Sequence, residues 1–128
     1  MIWLIYKADG EIVGAAADAE WAQVAAGDAL SVIEHPEEID IREYLIQSGA
    51  VVRKADAVIT SEAEARELRE AWRQLRFRRS RLLSKTDWTQ APDSPADSAA
   101  WATYRQALRD LPQNTPDPRS VIWPEPPA

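Results

Sequence analysis

Apolar and polar positions divide this chain into an alternating first part and a helically periodic second part. In residues 2–7, Ile2, Leu4 and Tyr6 fall on one side of an extended backbone, and Trp3 and Ile5 fall on the other. Successive strand side chains point to opposite faces, so a run apolar on both predicts a buried strand. Asp9-Gly10 follows. Both positions tolerate the positive φ of a type I′ turn, so the pair signals a two-residue hairpin. Glu11–Ala15 is then the returning strand. Asp18 is placed to cap a short helix through Trp21 and Val24, ended by Gly27. Ala29–Glu34 alternates weakly and reads as a third strand, stopped by Pro36. Ile41–Gln47 reads as a fourth, which Ser48-Gly49 turns back into Ala50–Arg53. The first part is expected to be a small, mostly antiparallel sheet with one short helix.

From Ser61 the period changes. Ser61-Glu62-Ala63-Glu64 matches a capping box, in which a hydroxyl and a carboxylate satisfy backbone donors at a helix start. Leu68, Trp72, Leu75 and Leu82 then fall on one stripe of a helix of roughly 22 residues, about 33 Å long. That is longer than the head can cover, so another element must cover the stripe. Ser84–Asp93 reads as an ordered elbow with Trp88 tucked under it. Ser94-Pro95 or Asp97 starts a second helix. Trp101, Tyr104, Leu108 and Leu111 form its apolar face, and Pro112 is expected to end it. Trp72 and Trp101 are expected in the hairpin core. Trp123-Pro124 lies in a Pro-rich, extended tail that either folds back on the hairpin or is presented to a partner. The fold class is α+β: a small antiparallel head, a long helix, and a C-terminal helical hairpin with a Trp-Pro tail. The expected domains are 1–58 and 59–128.

Charge changes the picture more than bulk composition does. Residues 1–60 carry eleven acids and four bases, net −7; residues 61–86 carry four acids and eight bases, net +4; residues 87–128 are net −3. An acidic head thus precedes a basic helix. The overall −6 argues against nucleic acid as a default partner. No cysteine is present, which rules out disulfides and thiolate metal sites and fits a reducing compartment. The apolar run Ile2–Tyr6 has no basic flank before it, so it does not read as a secretory signal. No stretch approaches the ~18 apolar residues of a membrane helix.

Catalytic patterns are missing. His35 is the single histidine, with no second His or Cys to join it as a ligand, and it reads as structural. Glu37, Glu38 and Asp40 lack the ligand spacing of a calcium loop and read as a solvated loop. The four glycines never form a phosphate-cradling run. No serine, aspartate and histidine fall into a nucleophile motif. The chain is expected not to be an enzyme and to need no cofactor. The basic run Arg76, Arg78, Arg79, Arg81 and Lys85 has three readings. It is a solvated face matched to the helix dipole, with acids early and bases late; a grip for an acidic protein surface; or, remotely, a phosphate-binding face of a small DNA-binding regulator.

The last third combines Leu82-Leu83, Thr86-Asp87-Trp88-Thr89-Gln90, Pro92-Asp93, Trp101, Tyr104-Arg105-Gln106, Leu108-Arg109-Asp110-Leu111-Pro112 and Trp123-Pro124. This combination, over roughly residues 78–126, resembles the C-terminal segment of bacteriophage tail assembly chaperone and tail fibre assembly proteins. The layout of the acidic head, with its Asp9-Gly10 hairpin and Tyr44 before a glycine turn, is similar to heads in such proteins. The stretch from Pro95 to Trp101 looks shorter than in the family, which implies a short second helix. The resemblance implies a non-catalytic protein that binds a phage tail or tail fibre protein and helps it fold, trimerise or attach. The alternative it carries is a structural subunit retained in the virion. It implies work in the host cytoplasm; charge and the lack of a long apolar run point away from nucleic acid and membrane partners, and the oligomeric state is left open. The motif positions Trp88, Trp101, Tyr104, Arg105, Arg109, Asp110 and Trp123 are candidate partner-binding residues, with Arg105 expected at the surface.

Overall fold

The computed structural model describes residues 1–128. The chain forms two units, Met1–Glu62 and Ala63–Ala128.

In the first unit, β1 (Ile2–Tyr6) pairs antiparallel with β2 (Ile12–Ala16) on one side and β3 (Ser31–His35) on the other. The central strand is β1, the one apolar on both faces. Leu4 packs with Ile12 and Ile46, flanked by Ile2, Tyr6 and Ile33. Ile5 packs on the opposite face with Ala22 and Ala26 of helix α1 (Ala19–Ala26), flanked by Trp3 and Val32. Alternation along β1 therefore sorts residues between two clusters on opposite faces of one sheet. Strands β4 (Tyr44–Gln47) and β5 (Ala50–Arg53) form a separate antiparallel hairpin, which contributes Ile46 to the first cluster. The Asp18 carboxylate accepts from the Trp21 N–H at 2.7 Å, and Gly27 (φ 58) ends α1, as the residue pattern predicts.

Of the two hairpin turns, Ser48-Gly49 falls where expected and Asp9-Gly10 corrects the expectation. Ser48 (φ 52) and Gly49 (φ 77) both take positive φ, the type I′ pattern. At Asp9-Gly10 only Gly10 does (φ 89). There the Gly10 N–H donates to Lys7 C=O and the Lys7 N–H to Glu11 C=O, both at 2.9 Å. This closes a three-residue loop instead of a two-residue one, and the β1–β2 register shifts beside Tyr6. The reason lies outside the turn. Gly10 also accepts from the Ile46 N–H at 2.8 Å, and a Cβ on it would stand 2.1 Å from Ile46 C=O. The close approach to β4 selects both the glycine and the loop.

Helix α2 (Asp56–Thr86) is 31 residues long, about 46 Å, against the roughly 22 expected. It starts five residues ahead of the capping box, which lies inside it. Glu62 is ion-paired with Lys54 at 2.8 Å, and Asp56 occupies the first turn with Arg53 at 2.6 Å. The elbow is correspondingly short: α2 runs to Thr86, and a 3-10 helix spans Asp87–Gln90. Helix α3 (Ser98–Asn114) starts at Asp97, whose carboxylate accepts from the Ala100 N–H at 3.2 Å. With 17 residues it is not short, and Pro112 lies inside it. Pro112 lacks the N–H that would bond Leu108 C=O, and the Thr115 hydroxyl meets a later carbonyl, Leu111 C=O, at 2.6 Å.

Tyr104, Leu108 and Leu111 of α3 are buried, as is Leu75 of α2. Trp72 and Trp101, expected in the core, are half-buried, and Leu68 is exposed.

Candidate functional site

The last turn of any α-helix leaves carbonyls without intrahelical partners. At the end of α2 those carbonyls are met by side chains of the Thr86–Gln90 motif and by one arginine of α3. The Thr86 hydroxyl lies 2.8 Å from Leu82 C=O and 3.1 Å from Leu83 C=O. The Thr89 hydroxyl, fully buried, donates to Thr86 C=O at 2.6 Å. The Gln90 amide reaches Ser98 C=O at 3.1 Å and so joins the motif to the first residue of α3.

Arg105 completes the arrangement. Its guanidinium donates to Leu83 C=O (2.6 Å), the Thr86 hydroxyl (2.8 Å) and the Asp87 carboxylate (2.6 Å). A planar fork of donors suits three acceptors held in fixed directions. Its positive charge also sits at the negative end of the α2 dipole. Arg105 is 7% exposed. The expectation of a surface arginine is therefore corrected: this side chain joins α3 to the end of α2.

The candidate residues separate by exposure. Tyr104 and Arg105 are buried. Trp101 is half-buried and meets Tyr104 edge-on, ring centroids 5.6 Å apart. Asp110 is half-buried and accepts from the Gln106 amide at 3.0 Å. Arg109 is exposed, while its backbone carbonyl accepts from Arg79 at 3.3 Å. Trp123 is half-buried, with the Arg78 guanidinium 4.3 Å from its ring centre, so the tail folds back here. Ile122 beside it is almost fully exposed. Trp88 is not tucked under the elbow: it is 56% exposed. In the Thr-Asp-Trp-Thr-Gln motif, the other four side chains all hydrogen-bond within the chain, and the exposed Trp88 ring takes no part in those bonds.

Sequence reading placed Arg79 in the basic run and Thr86 and Thr89 in the motif, but gave none of them a part in joining the helices. The signal was present in the spacing. The series 72, 75, 79, 82, 86 is a regular stripe of α2, but two of its members are polar and drop out of an apolar count.

In the tail, Arg119 donates to Asp117 through its side chain (3.0 Å) and its backbone N–H (2.9 Å). Both bonds hold the Asp117 carboxyl below the usual carboxylate range, the side-chain bond most. His35 Nδ1 lies 2.7 Å from Glu37 C=O. No group of three or more His, Asp or Glu side chains comes together in a way that would hold a metal ion. No helix is long and apolar enough to cross a membrane.

Residues 72–128 match the family model of phage tail assembly chaperone proteins. The match starts at Trp72, somewhat before the segment that carries the sequence resemblance, and runs to the end of the chain. It contains the Thr86–Gln90 motif, the Arg105 clamp and the Trp123 tail, and it ties this segment to phage tail assembly. No curated protein and no solved structure matches the chain.

Proposed function

We propose that this chain is a non-catalytic assembly chaperone that binds a phage tail or tail fibre protein and assists its folding, trimerisation or attachment. The observation that carries the reading is Trp88. A short motif has four side chains committed to holding a helix end, and it turns its one large aromatic outward at 56% exposure. Tryptophan is enriched at binding hot spots because it buries much area and keeps a polar N–H. Placed on a clamped helix end, it is presented with little conformational freedom left to lose on binding. The partner surface is expected to be the apolar patches and open strand edges of an unassembled fibre or tail protein. The work belongs in the host cytoplasm and needs no cofactor.

Co-expression with the neighbouring tail or fibre protein tests this. The yield of soluble, assembled partner should fall when the chain is omitted and when Trp88→Ala replaces it. The same variant should leave the chain's own melting within about 0.5 kcal/mol, as exposed substitutions do. Unchanged partner yield without the chain would rule the chaperone reading out. Mass spectrometry of purified particles separates it from a retained structural subunit, which would be present in stoichiometric amount.

A further inference from the structure

Two surfaces of this chain surround an exposed aromatic ring with charges of opposite sign. One lies on α1 and the end of β2. Trp21 and Val24, about one turn apart, are 62% and 76% exposed. With Ala16, Ala17, Asp18 and Glu20 they line a shallow depression of about 570 Å³. A surface helix ordinarily turns its large apolar side chains inward. Helix α1 buries only Ala22 and Ala26 and turns Trp21 to solvent.

The other surface lies on α2. Phe77 is 62% exposed. With Arg69, Trp72, Arg73, Arg76 and Ser80 it lines a groove of about 610 Å³. The Arg76 guanidinium stands 5.4 Å from the Trp72 ring centre, and Arg81 stands 5.8 Å from that of Phe77. Among the groove's arginines, Arg73 is paired with a carboxylate, Glu70 at 3.0 Å, while Arg69 and Arg76 are not. Residues 1–60 are net −7 and residues 61–86 net +4, so each surface sits in a region of its own sign.

Apolar surface of this kind is costly to leave in water and marks interaction sites. Neither surface suits a copy of itself, because like charges would face each other. Each suits the other. We propose that the chain self-associates, with the Trp21–Val24 surface of one copy seated in the Arg69–Phe77 groove of a second copy. The Trp21 ring then receives the groove's guanidiniums on its face, and Glu20 meets Arg76. Each copy carries both surfaces, so the contact is heterologous and can pass from copy to copy. Trp88 takes no part, so this association stands apart from partner binding at the helix end.

Sedimentation velocity on the purified full chain tests the proposal. The expected result is a species larger than the monomer at micromolar concentration in roughly 0.01 M salt. It should dissociate at least tenfold more readily in roughly 1 M salt, as the screening length falls from about 30 Å to about 3 Å. Arg76→Glu alone and Glu20→Arg alone should each weaken the association, and the two together should restore it. Trp21→Ala should weaken it in either salt. All three positions are exposed, and an unchanged circular dichroism melt shows that each variant still folds. A chain that stays monomeric in low salt at every concentration overturns the proposal and leaves both surfaces to a different protein. So does an association that Arg76→Glu leaves intact, or one that the double reversal fails to restore.

Discussion

In Met1–Glu62 a three-stranded sheet buries aliphatic side chains on both faces, whereas in Ala63–Ala128 the Arg105 guanidinium of one helix bonds the end of another, where threonine hydroxyls bond the last carbonyls. The first unit is held by contacts that are individually weak and directionless. The second has fewer fully buried apolar side chains but fixes the end of α2 by bonds with defined directions. Apolar packing tolerates change if volume is kept. A network of polar groups loses several partners when one is removed. Substitutions in the head should therefore act through space and strain, and substitutions around Arg105 through unmet acceptors.

The largest effect is expected where the head has no room. Gly10→Ala puts a methyl group 2.1 Å from Ile46 C=O at a φ of 89. It should cost about 3 kcal/mol or more, read by chemical denaturation. Gly49→Ala is the control. It shares positive φ but has nothing within 4 Å, so only the left-handed backbone penalty of about 1 kcal/mol applies. Equal costs at the two sites would show that backbone conformation, and not the approach of β4, makes Gly10 necessary.

Arg105→Ala comes next, at about 2–4 kcal/mol. It strands Leu83 C=O and the Thr86 hydroxyl, and it leaves the Asp87 carboxylate without its cation. Arg105→Lys should recover only part of this, since an ammonium cannot reproduce the fork. If Arg105→Leu melts like the natural chain, apolar contact alone joins the helices and the contrast between the two units disappears. Trp101→Ala should cost less, about 1–2 kcal/mol, because the ring is half-buried and its main partner is Tyr104, edge-on at 5.6 Å.

These costs follow how far each unit could be read from residue pattern. In β1 every side chain reports its face by being apolar, and the two clusters are those that alternation assigns to Ile2, Leu4 and Tyr6 and to Trp3 and Ile5. Asp18, Gly27 and Asp97 carry caps whose chemistry is local, and each sits where its residue type suggests. What was not legible depends on distant partners. The Gly10 loop is set by β4, more than thirty residues on. The start of α2 owes nothing to the Ser61 box and sits beside an Arg53–Asp56 ion pair. Arg105 looked like a surface residue because a buried arginine is recognisable only once its acceptors, 18 to 22 residues earlier, are known. The Thr86–Gln90 motif was visible as a motif, but its division of labour was not. Nothing in the residue order says that Thr89 is buried and Trp88 exposed.

The smallest effect sharpens the contrast between buried and exposed guanidiniums. Arg119 pairs with Asp117 in the tail, where both side chains are nearly half exposed, unlike Arg105. The Asp117 carboxyl is held below its ordinary range, first by the Arg119 side chain and then by the Arg119 backbone N–H. A carboxyl lowered in the folded state contributes stability that is fully present above its unfolded value. That contribution is lost as pH falls through the folded value. Solvent and salt screen an exposed pair, so the effect on melting should be slight and should shrink further in high salt. A carboxyl-selective NMR titration is the suitable readout. In Arg119→Ala the Asp117 titration should move back toward the ordinary carboxylate range yet remain below it, because the backbone N–H at residue 119 still donates. A complete return would mean that the tail turn itself depends on the guanidinium. No movement would mean that the backbone bond alone sets the shift.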